Sequence, residues 1–216
     1  MVNINQLFRE RVEPWQLRKV YDTITEAYNE VQIIVEGLDL LPPLQRQCMG
    51  HIRCSFISQA LLGLNSPEDG IEVELASSQV AGWSFAEITL NKLVQLTVKS
   101  HDNPYTLPEI SDFRGQRAKQ NPEEQGTLLE LLGIKSEVDT NEPINGIIIH
   151  KPGKVGRPDF VNVIFPDKYY KTLLGESLNL LELCEEMEAK ADQSLIKRRP
   201  KPVEVEKSKL KLKKQG

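Results

Sequence analysis

The chain has little of what usually announces a chemistry. It holds three cysteines and three histidines in 216 residues, and no CxxC pair occurs among them. An odd cysteine count without an export signal predicts free thiols in a reduced, cytosolic protein, not a disulfide framework. The opening MVNINQLFRERVEPW has no apolar stretch after a basic start, so no signal peptide is expected. No apolar run approaches the roughly 18 residues that would cross a bilayer, so no membrane partner is expected. The GxSxG elbow of a serine hydrolase, the GxxxxGK phosphate loop and the GxGxxG dinucleotide loop are all missing. Gly153-Lys154-Val155-Gly156-Arg157 has the wrong spacing for a phosphate cradle and leads into a strand, not a helix. No cofactor is expected.

What is present begins with charge. Residues 197–216 hold nine of the 27 basic residues and two of the 31 acidic ones, so this tail carries +7 and residues 1–196 carry −11. A basic tail on an acidic body predicts either attraction to a polyanion or a solvated, disordered terminus. It also allows the tail to fold back on the acidic body.

Periodicity supplies the elements. Pro14 opens a helix whose Leu17, Val20, Tyr21, Ile24, Ala27, Tyr28, Val31, Ile34 and Val35 form one apolar stripe, and Gly37 ends it. A second helix from about Pro43 to Leu62, with Leu44, Cys48, Ile52, Phe56, Ala60 and Leu61 inward, completes an αα-hairpin. From Ile71 the period becomes two. Strands are predicted at 71–75, 83–90 and 93–98, the last two turning at Asn91-Lys92. Short helices follow near Pro108–Gln120 and Thr127–Leu132. Strands at about 146–150 and 160–165 flank a basic loop, and Asp167 is expected to cap the helix after it. Gly175 is a point at which that helix would split. The order predicts an α+β fold with a mainly antiparallel sheet of about five strands. The chain reads as one domain over residues 1–196, with the αα-hairpin at 14–62, the sheet at 70–190 and the tail beyond.

Candidate chemistry is sparse. Cys48, His51 and Cys54 are soft metal ligands, but steps of three on a helix spread them apart, and no second pair completes a tetrahedral shell. Packed cysteines are the simpler reading. Glu72, Glu74 and Glu87 are the carboxylates that a metal-dependent nuclease would need, since Mg²⁺ takes oxygen ligands. On an alternating strand they also read as a solvent face. Arg53 lies in the apolar run HIRCSFISQAL, where an unpaired charge is costly. An ion pair with Glu26, Glu30 or Glu36 is expected, with a phosphate or carboxylate clamp as the alternative. Lys151, Lys154 and Arg157 lie in a loop read as nine residues long, where a hairpin needs two to five. With Arg114, Arg117 and Lys119 they form a possible contact set for nucleic acid or a partner protein.

The block Gly156-Arg157-Pro158-Asp159-Phe160-Val161-Asn162-Val163-Ile164-Phe165-Pro166-Asp167-Lys168-Tyr169-Tyr170, running into Leu180-Leu181-Glu182-Leu183, resembles a segment of uncharacterised small bacterial and phage-associated proteins. Leu93–Asn121, with its strand, proline-rich link and basic helix, is similar to them too. The resemblance implies a bacterial or mobile-element setting and brings no catalytic residue. A non-enzymatic accessory or binding protein is therefore expected. The alternatives are a nuclease using the three glutamates and an oligomeric interaction module built on the αα-hairpin and the acidic last helix.

Overall fold

The computed structural model describes residues 3–77, 84–121, 142–154 and 156–198, without the side chains of 51 and 192–198. The helix expected at Thr127–Leu132 and the tail from 199 onward lie outside the described residues. The chain opens with a helix that its apolar pattern is too short to reveal, α1 (Ile4–Arg11). Asn3 caps it, its Oδ1 accepting from the backbone N–H of Asn5 at 3.1 Å and of Gln6 at 3.2 Å. Next come α2 (Pro14–Glu36) and α3 (Pro42–Leu62), each with proline in its first turn, where the missing N–H costs nothing. They form the expected αα-hairpin.

Among the described residues six strands make one sheet in sequential order: β1 (Ile71–Ser77), β2 (Ser84–Leu90), β3 (Val94–Ser100), β4 (Ile144–Pro152), β5 (Pro158–Ile164) and β6 (Leu178–Asn179). In the turn between β2 and β3, Asn91 at φ +51° and Lys92 at +60° are the central residues, closed by the Leu93 N–H donating to the Leu90 carbonyl at 3.0 Å. All pairings are antiparallel except β3 with β4, so the sheet is mixed. A parallel pair cannot be closed by a tight turn and needs a crossover. The chain between Ser100 and Ile144 provides it and includes α4 (Asp112–Ala118).

The two faces of the sheet are unequal. On one, Ile88, Leu96, Ile148 and Val163 pack with Phe8, Leu17, Ile24 and Leu61 from the helices in the larger core. On the other, Ile147, Ile149 and Ile164 meet Ala118 at the end of α4 in a smaller cluster. Burying each of the larger of these side chains contributes roughly 1.5–3 kcal/mol. The larger core therefore supplies most of the stability.

Two expectations need correction. No helix follows Asp167. Its Oδ1 accepts from the backbone N–H of Lys171 at 2.6 Å and of Thr172 at 3.1 Å, closing a turn with Tyr170 at φ +57°. A local carboxylate serves a turn as readily as a helix. The last helix, α5 (Leu180–Arg198), starts later, with Asn179 Oδ1 accepting from the N–H of Leu181 at 3.0 Å. The basic loop is also shorter than predicted. Pro152 and Pro158 pair with each other as strand ends, so the loop runs from Gly153 to Arg157, an ordinary hairpin length.

α5 runs antiparallel to α2. Glu188 pairs with Arg18 at 3.0 Å, and four residues earlier Cys184 lies within the electrostatic reach of both Arg18 and Asp22. Its C-terminal end therefore points past the start of α2, away from the turn of the αα-hairpin.

Candidate functional site

Glu74 and Glu87 are register partners on β1 and β2, and Glu72 is two residues along on the same face. Glu87 is buried and held by Arg117 at 2.9 Å, whereas Glu74 is exposed. A carboxylate committed to an arginine is a poor metal ligand. Among the described residues no three His, Cys, Asp or Glu side chains group as a metal site requires. Cys48 is half-buried and Cys54 exposed on α3; the side chain of His51 lies outside the described residues.

The Glu87–Arg117 pair borders a small hollow between α4 and the sheet, also lined by Gln95, Thr97, Arg114 and Asn145. Asn121 locks its edge, donating to the carbonyls of Asn145 at 2.7 Å and Pro166 at 2.8 Å and accepting from the N–H of Asn145 at 2.7 Å. The hollow encloses ≈ 10 Å³, about the room one water needs and far below the roughly 300 Å³ of a small-molecule site. It is a polar joint that seats α4 on the sheet.

The basic residues fall into two groups. Arg117 is spent on Glu87, and Arg114 donates to the Glu109 carbonyl at 2.7 Å, so two of the three α4 cations are engaged internally. Lys119 is exposed where α4 ends. Lys154 and Arg157 are exposed in the β4–β5 loop, and Lys151 is half-buried at its root. That loop leans toward α2. Gly156 has φ +65°, and a Cβ there would come within 3.2 Å of Gln32 Cβ and 3.4 Å of Asn29 Cα. α4 packs through Ala118 against the face of the sheet that carries Ile147 and Ile149, and Lys151 shares that face by strand alternation.

Where α2, α3 and β4 meet, the sequence gives no signal for what is found. The Tyr28 hydroxyl lies 2.6 Å from His150 Nδ1, both side chains buried. Arg53 does not pair with Glu26, Glu30 or Glu36. Its guanidinium stacks over the Tyr28 ring at 4.7 Å and contacts Met49 Sδ at 3.7 Å. A cation over an aromatic face is stabilised without an acid. Burial, with Arg53 and Lys99 adding to it, pushes the His150 imidazole down to about 4, and burial pushes the Tyr28 phenol up. A neutral histidine held by a tyrosine that does not ionise makes a structural hydrogen bond.

The feature left over is apolar. At the far end of the αα-hairpin, Leu41 is 70% exposed, Ile33 61%, Leu44 49%, Ile34 40% and Leu38 39%. Periodicity predicts Ile34 and Leu44 to be inward, but on α2 it is Val31 and Val35 that are buried there. The available signal was density: IIVEGLDLLPPL is more apolar than a helix connection needs. Glu30, Glu36 and Asp39 are exposed among these side chains, with Arg46 the nearest cation along the chain. The tip is an apolar surface with an acidic rim.

No family model, curated protein or solved structure matches this chain.

Proposed function

We propose that the chain is a non-enzymatic binding protein that engages a partner protein through the tip of its αα-hairpin. The partner segment would carry apolar side chains flanked by lysine or arginine. The supporting observation is the exposure of Ile33, Ile34, Leu38, Leu41 and Leu44 within one short stretch. Scattered exposed leucines need no explanation, but contiguous apolar surface rimmed by charge marks interaction sites. Burying the exposed part of each such side chain contributes up to roughly 1.5–3 kcal/mol, and the apolar centre of an interface dominates its affinity. Glu30, Glu36 and Asp39 add selectivity for a basic partner and faster association more than they add affinity.

The test is a random peptide library panned against the full chain. Recovered peptides should combine leucine, isoleucine or valine with lysine or arginine, and Leu41→Asp should abolish their binding. Peptides of another composition, or binding indifferent to Leu41→Asp, would remove the tip as the site.

A second reading has its own observation. Lys154 and Arg157 are exposed at a hairpin tip, and among the described residues neither makes an ion pair. Nucleic-acid contact through this loop predicts oligonucleotide affinity that falls steeply with salt and weakens in Lys154→Glu/Arg157→Glu. Salt-insensitive binding, or none, argues against it.

A further inference from the structure

We infer that the occupant of the hairpin tip is the tail of a second copy of this chain, through residues 203–214. The inference rests on the proposed function and identifies its partner. In that segment, VEVEKSKLKLKK, Leu210 and Leu212 have the stated chemistry, flanked by Lys209, Lys211 and Lys213. Val203, Val205, Leu210 and Leu212 supply apolar groups, and Lys207, Lys209, Lys211, Lys213 and Lys214, set against Glu204 and Glu206, leave a net charge of +3, opposite in sign to Glu30, Glu36 and Asp39.

Reach decides between the chain's own tail and another copy's. Arg18 of α2 lies beside Glu188 of α5, and the two helices run in opposite directions. From that level α5 continues about 15 Å to Arg198, at roughly 1.5 Å per residue, while Ile33 lies about 22 Å the other way along α2. The end of α5 is thus about 37 Å from the nearest part of the tip. Even fully extended, at roughly 3.4 Å per residue, the chain brings Val203 only about 17 Å back and Val205 about 24 Å. Leu210, at about 41 Å, covers the distance only as a nearly straight line, and Leu212, at about 48 Å, only with most of its length drawn out. The tail of another molecule meets no such limit and brings all four apolar side chains to the tip together.

An interface joining the tip of one molecule to the tail of the next is heterologous, so it repeats into a ring or an open chain instead of stopping at a symmetric dimer. The acidic–basic component weakens with added salt, while the apolar component persists.

Sedimentation of the full chain from about 1 to about 100 μM tests this. The wild-type weight-average mass should rise with concentration above the 24.5 kDa of one chain. Leu41→Asp alters a side chain that is 70% exposed, and Leu210→Asp/Leu212→Asp alters only the tail. Each variant alone should remain at 24.5 kDa. An equimolar mixture of the two should give a complex of two chains and no larger, since only one working tip and one working tail remain. Three results overturn the inference: a wild-type monomer at every concentration, a mixture that stays monomeric, or assembly that survives Leu210→Asp/Leu212→Asp. The last would mean that tip meets tip. None of the three touches the peptide-panning test of the tip itself, so failure of the tail and failure of the surface are told apart.

Discussion

The root and the tip of the αα-hairpin are written in the same apolar code and meet opposite fates. At the root, Leu17, Val20, Ile24 and Leu61 have no exposed surface, and deeper along the hairpin the buried Tyr28 and His150 bond to each other. At the tip, Ile34 continues the same stripe and Leu44 faces it in the prediction, yet both are exposed. A 3.6-residue apolar period shows that a helix has a face to bury. It does not show whether anything in the same chain is present to bury it.

The largest expected effect lies at the root. Leu61→Ala removes a side chain from the interior of the larger core and should cost about 2–5 kcal/mol, because the surroundings close only partly over the space left. Urea unfolding measures it; a loss below about 1 kcal/mol would mean that the root is no better packed than the tip.

How much of this was legible follows from how local each determinant is. The β2–β3 hairpin was readable because alternation and an Asn91-Lys92 turn lie within a few residues of one another. The parallel β3–β4 pairing was not, since Val94 and Ile144 are brought together by a crossover and not by any neighbouring residue. The prolines misled in a specific way. Expected strands at 146–150 and 160–165 leave Pro152 and Pro158 in the loop, but proline is tolerated at strand ends, and the two pair there, which shortens the loop. Asp167 was read as a helix cap because an Asx side chain caps turns and helices by the same hydrogen bond. Among the candidate site residues, sequence located Glu87 and Arg117 without revealing that each is the other's partner. It gave no sign of the Tyr28–His150 bond, whose members are 122 residues apart.

His150 gives the root a pH signature that the tip lacks. Its folded value of about 4 lies below the ordinary 6.5, so between these values the unfolded chain binds the extra proton. Its contribution is therefore fully present above pH 6.5 and is lost as pH falls toward 4. A difference of this size corresponds to a few kcal/mol. In His150→Gln, stability measured from pH 7 to 4 should lose this part of its slope. An unchanged slope would show that His150 titrates normally in the folded chain.

Arg53 sharpens the same point with a smaller effect. Burial is the main cause of the His150 shift and Arg53 the next. Arg53→Gln should therefore move the His150 midpoint, followed by NMR, upward from about 4 but not to 6.5. The pH window in which stability is lost then ends higher, still starting near 6.5, and less is lost across it. A midpoint that does not move would leave burial and Lys99 as the causes.

The smallest expected effect is the most informative about the tip. Leu44→Ala deletes a large apolar side chain, as Leu61→Ala does, and lies on the same helix. Yet Leu44 is 49% exposed and Leu61 fully buried. With water already in contact with Leu44, truncation leaves no enclosed cavity, and the change in unfolding free energy should stay within about 0.5 kcal/mol. If binding to the recovered peptides falls at the same time, the leucine is there for a partner and not for the fold. A loss comparable to that of Leu61→Ala would instead mean that the tip is packed in solution as tightly as the root, and the contrast between the two ends would disappear.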